Sequence, residues 1–323
     1  MASPRLLQRI TGADTPPCYR WFVCGTDLGI PYLLPNGIVG YIFGDTFDTA
    51  MPGRAIQTGG WRSPVILRSA SNPAYGRISF DTAAGAVDSN MAPEVMYNGH
   101  FRQGEVSAIP NDAVSLPDGR HIMSIMSVAQ WLAGTWRTNY TQLAVSTDGG
   151  NSFQRTDTRW DNPYGTDTQM ISMQLDGEYI YLIGVRAGRV MGPMHLMRVP
   201  WRNVLDSTAY RCWTGTLWTH ECTGVYYGQF GEPSLRKLRD GTWAMAYLNI
   251  AKRAIVTRWA INPTGPWSDE KVQITDQELP SLYGGFIHPY SGRNSLTLMI
   301  STWQAARYDV SQLTGLTLPL DSS

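Results

Sequence analysis

The sequence predicts an all-β fold, a single five-bladed β-propeller, and three observations carry that expectation. Five apolar-turn-apolar units recur, centred on Gly37, Gly119, Gly177, Gly241 and Gly292, at separations of 82, 58, 64 and 51 residues. Each sets an x-Gly turn between alternating β-formers, which is how radially repeated antiparallel blades read along a chain. No long stretch carries the 3.6-residue apolar period of an amphipathic helix. At 323 residues and 43% hydrophobic composition, the chain can bury the sizeable core that one large β domain needs.

Charge and cysteine content then narrow the function classes. Charged residues are 16% of the chain and the formal net charge is +0. A nucleic-acid binder would carry a basic excess, so none is expected as a partner. The start, MASPRLLQRITGADTPP, lacks the apolar core of a secretion signal, and no run of about 18 apolar residues is present, so no membrane insertion is expected. Residues 1–18 read as an N-terminal extension and 19–323 as the propeller. Cys18, Cys24, Cys212 and Cys222 are too few for a disulfide framework in a chain this long. Buried free thiols are the expectation, with a Cys212 to Cys222 bridge as the alternative. The five histidines are scattered without ligand spacing, so no metal or cofactor is called for, although an acid-lined channel could take a structural calcium ion.

The first blade carries the chemistry. Between Gly25 and Phe47, two apolar runs flank Asn36-Gly37, a pair that tolerates the positive φ of a tight hairpin turn. Asp27 lies 10 residues before Gly37 and Asp45 lies 8 after it, so the folded hairpin brings both carboxyls to its open end. Side chains on neighbouring strands stand roughly 5 Å apart at Cβ. Crowded carboxylates divide into one protonated and one ionised group, which supplies a general acid beside a base or nucleophile. That is the equipment for breaking a glycosidic bond, so Asp27 and Asp45 are the catalytic candidates. A separation of about 5 Å would favour retention and one of roughly 6.5–9.5 Å inversion.

Later blades supply a rim. Counting back 7 to 10 residues from each turn glycine reaches Asp112, with Asn111 beside it, then Gln169, Glu232 and Tyr283. Acids or amides therefore open four blades of five, where packing alone would favour small apolar residues. Each also has a structural reading: Asp112 as a turn cap, Glu232 as a partner of Arg236. Trp61 and Arg62 in GGWRSP, Trp131 in AQWLAGTW, and His288 complete the substrate-binding candidates, since loops on a rigid scaffold commonly carry binding residues.

Ser146-Thr-Asp148-Gly-Gly150-Asn-Ser-Phe153 resembles the Asp-box of sialidases and other propellers, a structural turn. The segments GTDLG, FGDTF, WRSPVILRS, IPNDAV, STDGGNSF, GEPSLR and YGGFIHPYS, in that order, resemble the domain of unknown function numbered 4185. Members of that family are assigned to glycoside hydrolase family 183, endo-D-arabinanases that cut the D-arabinan of mycobacterial arabinogalactan and lipoarabinomannan. The resemblance implies a five-bladed propeller with Asp27 and Asp45 as the catalytic pair and a neutral polysaccharide, D-arabinan, as partner. That polymer lies outside the cell membrane, so the resemblance and the start of the chain together imply a virion-borne or lysis-released bacteriophage enzyme. Two rivals stand beside it. One is a non-catalytic carbohydrate-binding propeller, such as a phage adhesin. The other is a sialidase-type hydrolase, which would need converging arginines where this chain places acids.

Overall fold

The computed structural model describes residues 5–50, 60–86, 90–304 and 307–318. A short strand β1 (Leu6–Arg9) and a six-residue helix α1 (Pro16–Trp21) precede five antiparallel blades. Blade I holds β2 (Gly25–Leu33), β3 (Val39–Phe47), β4 (Val65–Ser69) and β5 (Thr82–Ala83). Blade II holds β6 (Ser107–Ser115), β7 (His121–Leu132), β8 (Thr135–Ser146) and β9 (Gln154–Asp161). Blade III runs β10 (Met170–Asp176), β11 (Tyr179–Val185), β12 (Met191–Pro200), β13 (Arg211–Trp213) and β14 (Trp218–Thr219), with β15 (Tyr226–Gln229) also paired to β12. Blade IV holds β16 (Ser234–Lys237), β17 (Trp243–Asn249), β18 (Ala254–Ala260) and β19 (Lys271–Thr275). Blade V holds β20 (Leu282–Ile287), β21 (Leu296–Gln304) and β22 (Arg307–Leu316).

All five turn glycines fall between the first and second strands of their blades, as the repeat predicts. The innermost strands β2, β6, β10, β16 and β20 contact one another in a closed ring. The ring is locked by β1, which lies antiparallel on β22 from Leu6 opposite Thr314 to Arg9 opposite Ser311. This corrects the expected 1–18 extension: residues 6–9 are the outer strand of blade V. Pairing the two ends of the chain in one sheet removes an exposed edge and closes the propeller.

One buried cluster ties four blades at the axis. The Arg236 guanidinium of blade IV meets both oxygens of Asp112 of blade II, at 2.7 and 2.8 Å, and also donates to Pro31 O of blade I at 2.9 Å. Ser172 Oγ and Met173 N of blade III donate to the same Asp112 oxygen at 2.5 and 2.9 Å. Such saturation is what lets an ion pair persist without water. Arg236 therefore pairs with Asp112, not with Glu232.

The free-thiol expectation is overturned. Cys18 and Cys24 are disulfide-bonded, as are Cys212 and Cys222. Phe22 ends α1 in the left-handed region, φ 57°, and so folds Cys24 back over the helix. The β13–β14 hairpin similarly brings Cys222 to Cys212, with Cα atoms 5.0 Å apart. Asp148 accepts from the backbone N–H groups of Asn151 and Ser152 at 3.0 Å each, holding the β8–β9 turn. Among the described residues, no helix is long and apolar enough to cross a membrane.

Candidate active site

The hairpin that carries Asp27 and Asp45 is bulged where it matters. Thr26 pairs with Thr46, but Leu28 pairs with Phe43, so Asp27 on β2 faces both Gly44 and Asp45 on β3. A bulge of this kind turns side chains out of the regular alternation, and here it lets both carboxyls serve one cavity. Gly44 is required because the Asp27 carboxyl occupies the space its Cβ would fill. Leu28 and Gly29 complete the kink at φ 62° and 67°.

The two carboxyls have unlike surroundings. Asp27 Oδ2 accepts from the Tyr283 hydroxyl at 2.7 Å, Tyr308 also hydrogen-bonds this carboxyl, and Oδ1 is buried without a partner. Burial, then the nearby Asp45 charge, push the Asp27 pKa up to about 7, against the pull of the two tyrosines. Asp45 is also raised by burial, but Trp61 Nε1 at 2.7 Å and Ser107 Oγ at 2.8 Å both donate to its Oδ1 and favour the charged form. Of the two carboxyls, Asp27 is the one whose pKa is pushed far enough to keep a proton toward neutral pH.

Trp61 is fixed behind Asp45 by aromatic packing, stacked on Phe47 and edge-on to His100 at 4.6 Å. Replacing it by Phe keeps that packing and deletes the N–H. Trp61→Phe is expected to raise the Asp45 pKa by about 1–2 units, the worth of one hydrogen bond to a charged group. A carboxyl-carbon NMR titration measures this, and an unmoved Asp45 midpoint would remove Trp61 from the role.

Across the cavity, Glu232 opens blade IV and accepts an ion pair from Arg189 at 2.5 Å, while its Oε2 is buried and unpartnered. The Arg189 guanidinium lies 5.1 Å from the ring centres of both Trp136 and Tyr283. The cavity encloses about 510 Å³, and residues from all five blades line it. Among the described residues, no three His, Cys, Asp or Glu side chains form a metal-ligand set.

A family model described as Domain of unknown function (DUF4185) matches residues 15–314. The chain belongs to the DUF4185 family. A relative is Notoamide biosynthesis cluster protein J' of Aspergillus versicolor, 46% identical over 316 residues, which span 92% of this chain and 85% of that protein. An uncharacterized 35.9 kDa protein of Mycolicibacterium smegmatis is 25% identical over 296 residues, 81% of this chain and 82% of that one. Among solved structures, the exo-β-1,3-galactanase of Phanerochaete chrysosporium aligns with TM-score 0.57 at 10% identity, over 97% of this chain and 64% of that enzyme. A putative exo-β-1,3-galactanase of Bifidobacterium bifidum aligns with TM-score 0.53 at 11% identity, over 89% and 92% of the two chains. Identities this low show a shared propeller fold.

Against the expectations, this DUF4185 propeller brings Asp27, Asp45, Asn111, Trp131, Glu232 and Tyr283 to the cavity, with Trp61 behind Asp45. Four candidates lie elsewhere. Asp112 is spent on Arg236 at the axis. Gln169 is fully buried, accepting from Thr138 and donating to Trp160 O, and its neighbour Met170 faces the cavity instead. Arg62 donates to the carbonyls of Gly60, Trp21, Phe22 and Ala92, a brace for the loops. His288 accepts at Nδ1 from Tyr290 N and therefore donates from Nε2 to the Tyr41 hydroxyl at 2.7 Å; burial holds its pKa down to about 3. Sequence reasoning missed Ser107, Trp136, Arg189, Trp303 and Tyr308. Only Trp136 carried a signal, standing in the same AQWLAGTW loop as Trp131.

Proposed function

We propose that this chain is a glycoside hydrolase in which Asp27 is the general acid and Asp45 the ionised partner, acting on α-D-arabinofuranosyl linkages of the D-arabinan type. The observation that carries the reading is the pair of carboxyls in one cavity with unlike environments, one pushed up to about 7 by burial and its neighbour's charge, the other's rise on burial opposed by two donors. With Oδ2 of Asp27 accepting from the Tyr283 hydroxyl, its proton belongs on Oδ1. Asp27 gives that proton to the leaving oxygen as the anomeric C–O bond breaks. The Asp45 carboxylate, oriented by Trp61 and Ser107, attacks the anomeric carbon or takes a proton from the attacking water. Glu232 is engaged by Arg189 and acts as an electrostatic neighbour of the acid. The propeller's likeness to galactanases supports the reaction class, and the family resemblance supports the furanosyl sugar. Two disulfides suit an oxidising, extracellular setting.

The test is incubation with purified arabinogalactan and with 4-nitrophenyl α-D-arabinofuranoside, running Asp27→Asn and Asp45→Asn beside the wild type. New reducing ends or nitrophenol from the wild type alone support the proposal. Polysaccharide binding without cleavage, unchanged in Asp45→Asn, would convert the protein into a lectin. The anomer released first decides between retention and inversion.

A further inference from the structure

Of the 12 tryptophans in the chain, only Trp131 and Trp303 are largely exposed, at 44% and 60%, and both line the cavity over Asp27 and Asp45. Two indoles left in water around one concavity mark an apolar surface kept for a ligand. Each continues inward as an aromatic ladder. Trp131, on the β7–β8 hairpin of blade II, packs at 5.8 Å on Trp136, whose ring meets Arg189. Trp303, on β21 of blade V, packs at 5.6 Å on Tyr308, which hydrogen-bonds Asp27.

Most of the remaining wall is apolar, with Ser281 and Thr135 the hydroxyl-bearing exceptions. Ile109, Pro110, Met126, Leu132, Met170 and Leu282 offer no side-chain hydrogen bond. Part of the floor's polar capacity is already used, Tyr283 on Asp27, Arg189 on Glu232, and Asn111 on Gln169 O. A sugar chain carries hydroxyls all round and loses affinity against a surface that cannot meet them. Four buried polar atoms of the lining remain open: Asp27 Oδ1, assigned above to the acid's proton, and Trp136 Nε1, Arg189 Nε and Glu232 Oε2 beyond it. Beside the acid, two donors and one acceptor set against a largely apolar wall match a ring system bearing a hydroxyl or amide.

We propose that the outer cavity is a leaving-group subsite for a flat, uncharged, apolar ring, an aryl or polycyclic aglycone. The preferred substrate of the proposed hydrolase is then a small α-D-arabinofuranoside carrying such an aglycone, with the interior of D-arabinan the poorer one. This rests on the glycosidase reading above and keeps its bond cleavage. Water adds across the anomeric C–O bond: the hydroxyl ends on the sugar carbon, a proton passes through Asp27 to the aglycone oxygen, and the aglycone departs as a neutral alcohol or phenol.

The subsite is tested separately from the chemistry by calorimetric titration with 2-naphthol, which contains no glycosidic bond. Wild type is expected to bind it, and Trp131→Ala or Trp303→Ala to weaken binding roughly five- to tenfold through lost stacking and burial. Both side chains are exposed, and circular dichroism checks that the variants fold. In parallel, 2-naphthyl α-D-arabinofuranoside is expected to exceed D-arabinan oligosaccharides in kcat/KM, the tryptophan variants losing mainly in KM. No naphthol binding, or equal binding by wild type and both variants, would overturn the subsite even if D-arabinan is cleaved. Naphthol binding that depends on the tryptophans, with no furanoside cleaved, supports the apolar subsite and removes the hydrolase.

Discussion

Asp27→Asn is expected to lower kcat/KM by roughly 10²- to 10⁴-fold, the usual contribution of a positioned general acid. The substitution keeps the shape of the side chain and an oxygen for the Tyr283 hydroxyl, so the loss reports the missing proton. Wild-type activity should fall on the alkaline side with a midpoint near the Asp27 pKa of about 7. It should fall on the acid side as Asp45 takes up a proton, at a pH above the ordinary carboxylate value because burial raises that group too. A further discriminator is the leaving group. Substrates that depart without protonation, such as 2,4-dinitrophenyl glycosides, should recover most of the lost rate in Asp27→Asn and none in Asp45→Asn. Equal losses on activated and unactivated substrates would show that Asp27 is not the proton donor.

That the two aspartates meet on the first blade was legible, because Asn36-Gly37 fixes a local hairpin and they need only sequence distance to meet. The turn glycines gave the blade count for the same reason. What failed is instructive at one-residue resolution. Asp112 and Gln169 were placed at the rim by counting, yet Asn111 and Met170 face the cavity. Along a strand a shift of one residue sends the side chain to the other face, and β6 has a register shift between Pro110 and Asp112 that counting cannot anticipate. The partners of the site were hidden for a different reason. Tyr308 reaches Asp27 from the far end of the chain, and Arg236 finds Asp112 across 124 residues; ring closure creates both meetings. No local pattern encodes them. The Cys18–Cys24 bridge was missed because a six-residue spacing becomes bridgeable only once Phe22 takes its left-handed turn.

The same Asp27→Asn change is expected to stabilise the folded protein at alkaline pH while it lowers activity. In the unfolded chain Asp27 titrates at its ordinary value of 3.8, and in the fold at about 7, because burial and Asp45 disfavour its charge. Between those values the folded state binds more protons than the unfolded state, so this group makes stability fall as pH rises. Below about pH 4 it is neutral in both states and contributes nothing; above about pH 7 the fold bears the full cost of a buried carboxylate, on the order of 2–4 kcal/mol after discounting for its partial exposure. Asparagine has no charge to bury. Urea unfolding at pH 4 and pH 8 should therefore give nearly equal free energies for variant and wild type at the lower pH and a gap of about 2–4 kcal/mol in favour of the variant at the higher. A gap that stays constant with pH would mean that Asp27 titrates normally in the fold, and the division of labour between the two aspartates would lose its physical basis. A gap that opens with pH would show the site to be strained for proton donation at the expense of the scaffold, as functional sites commonly are.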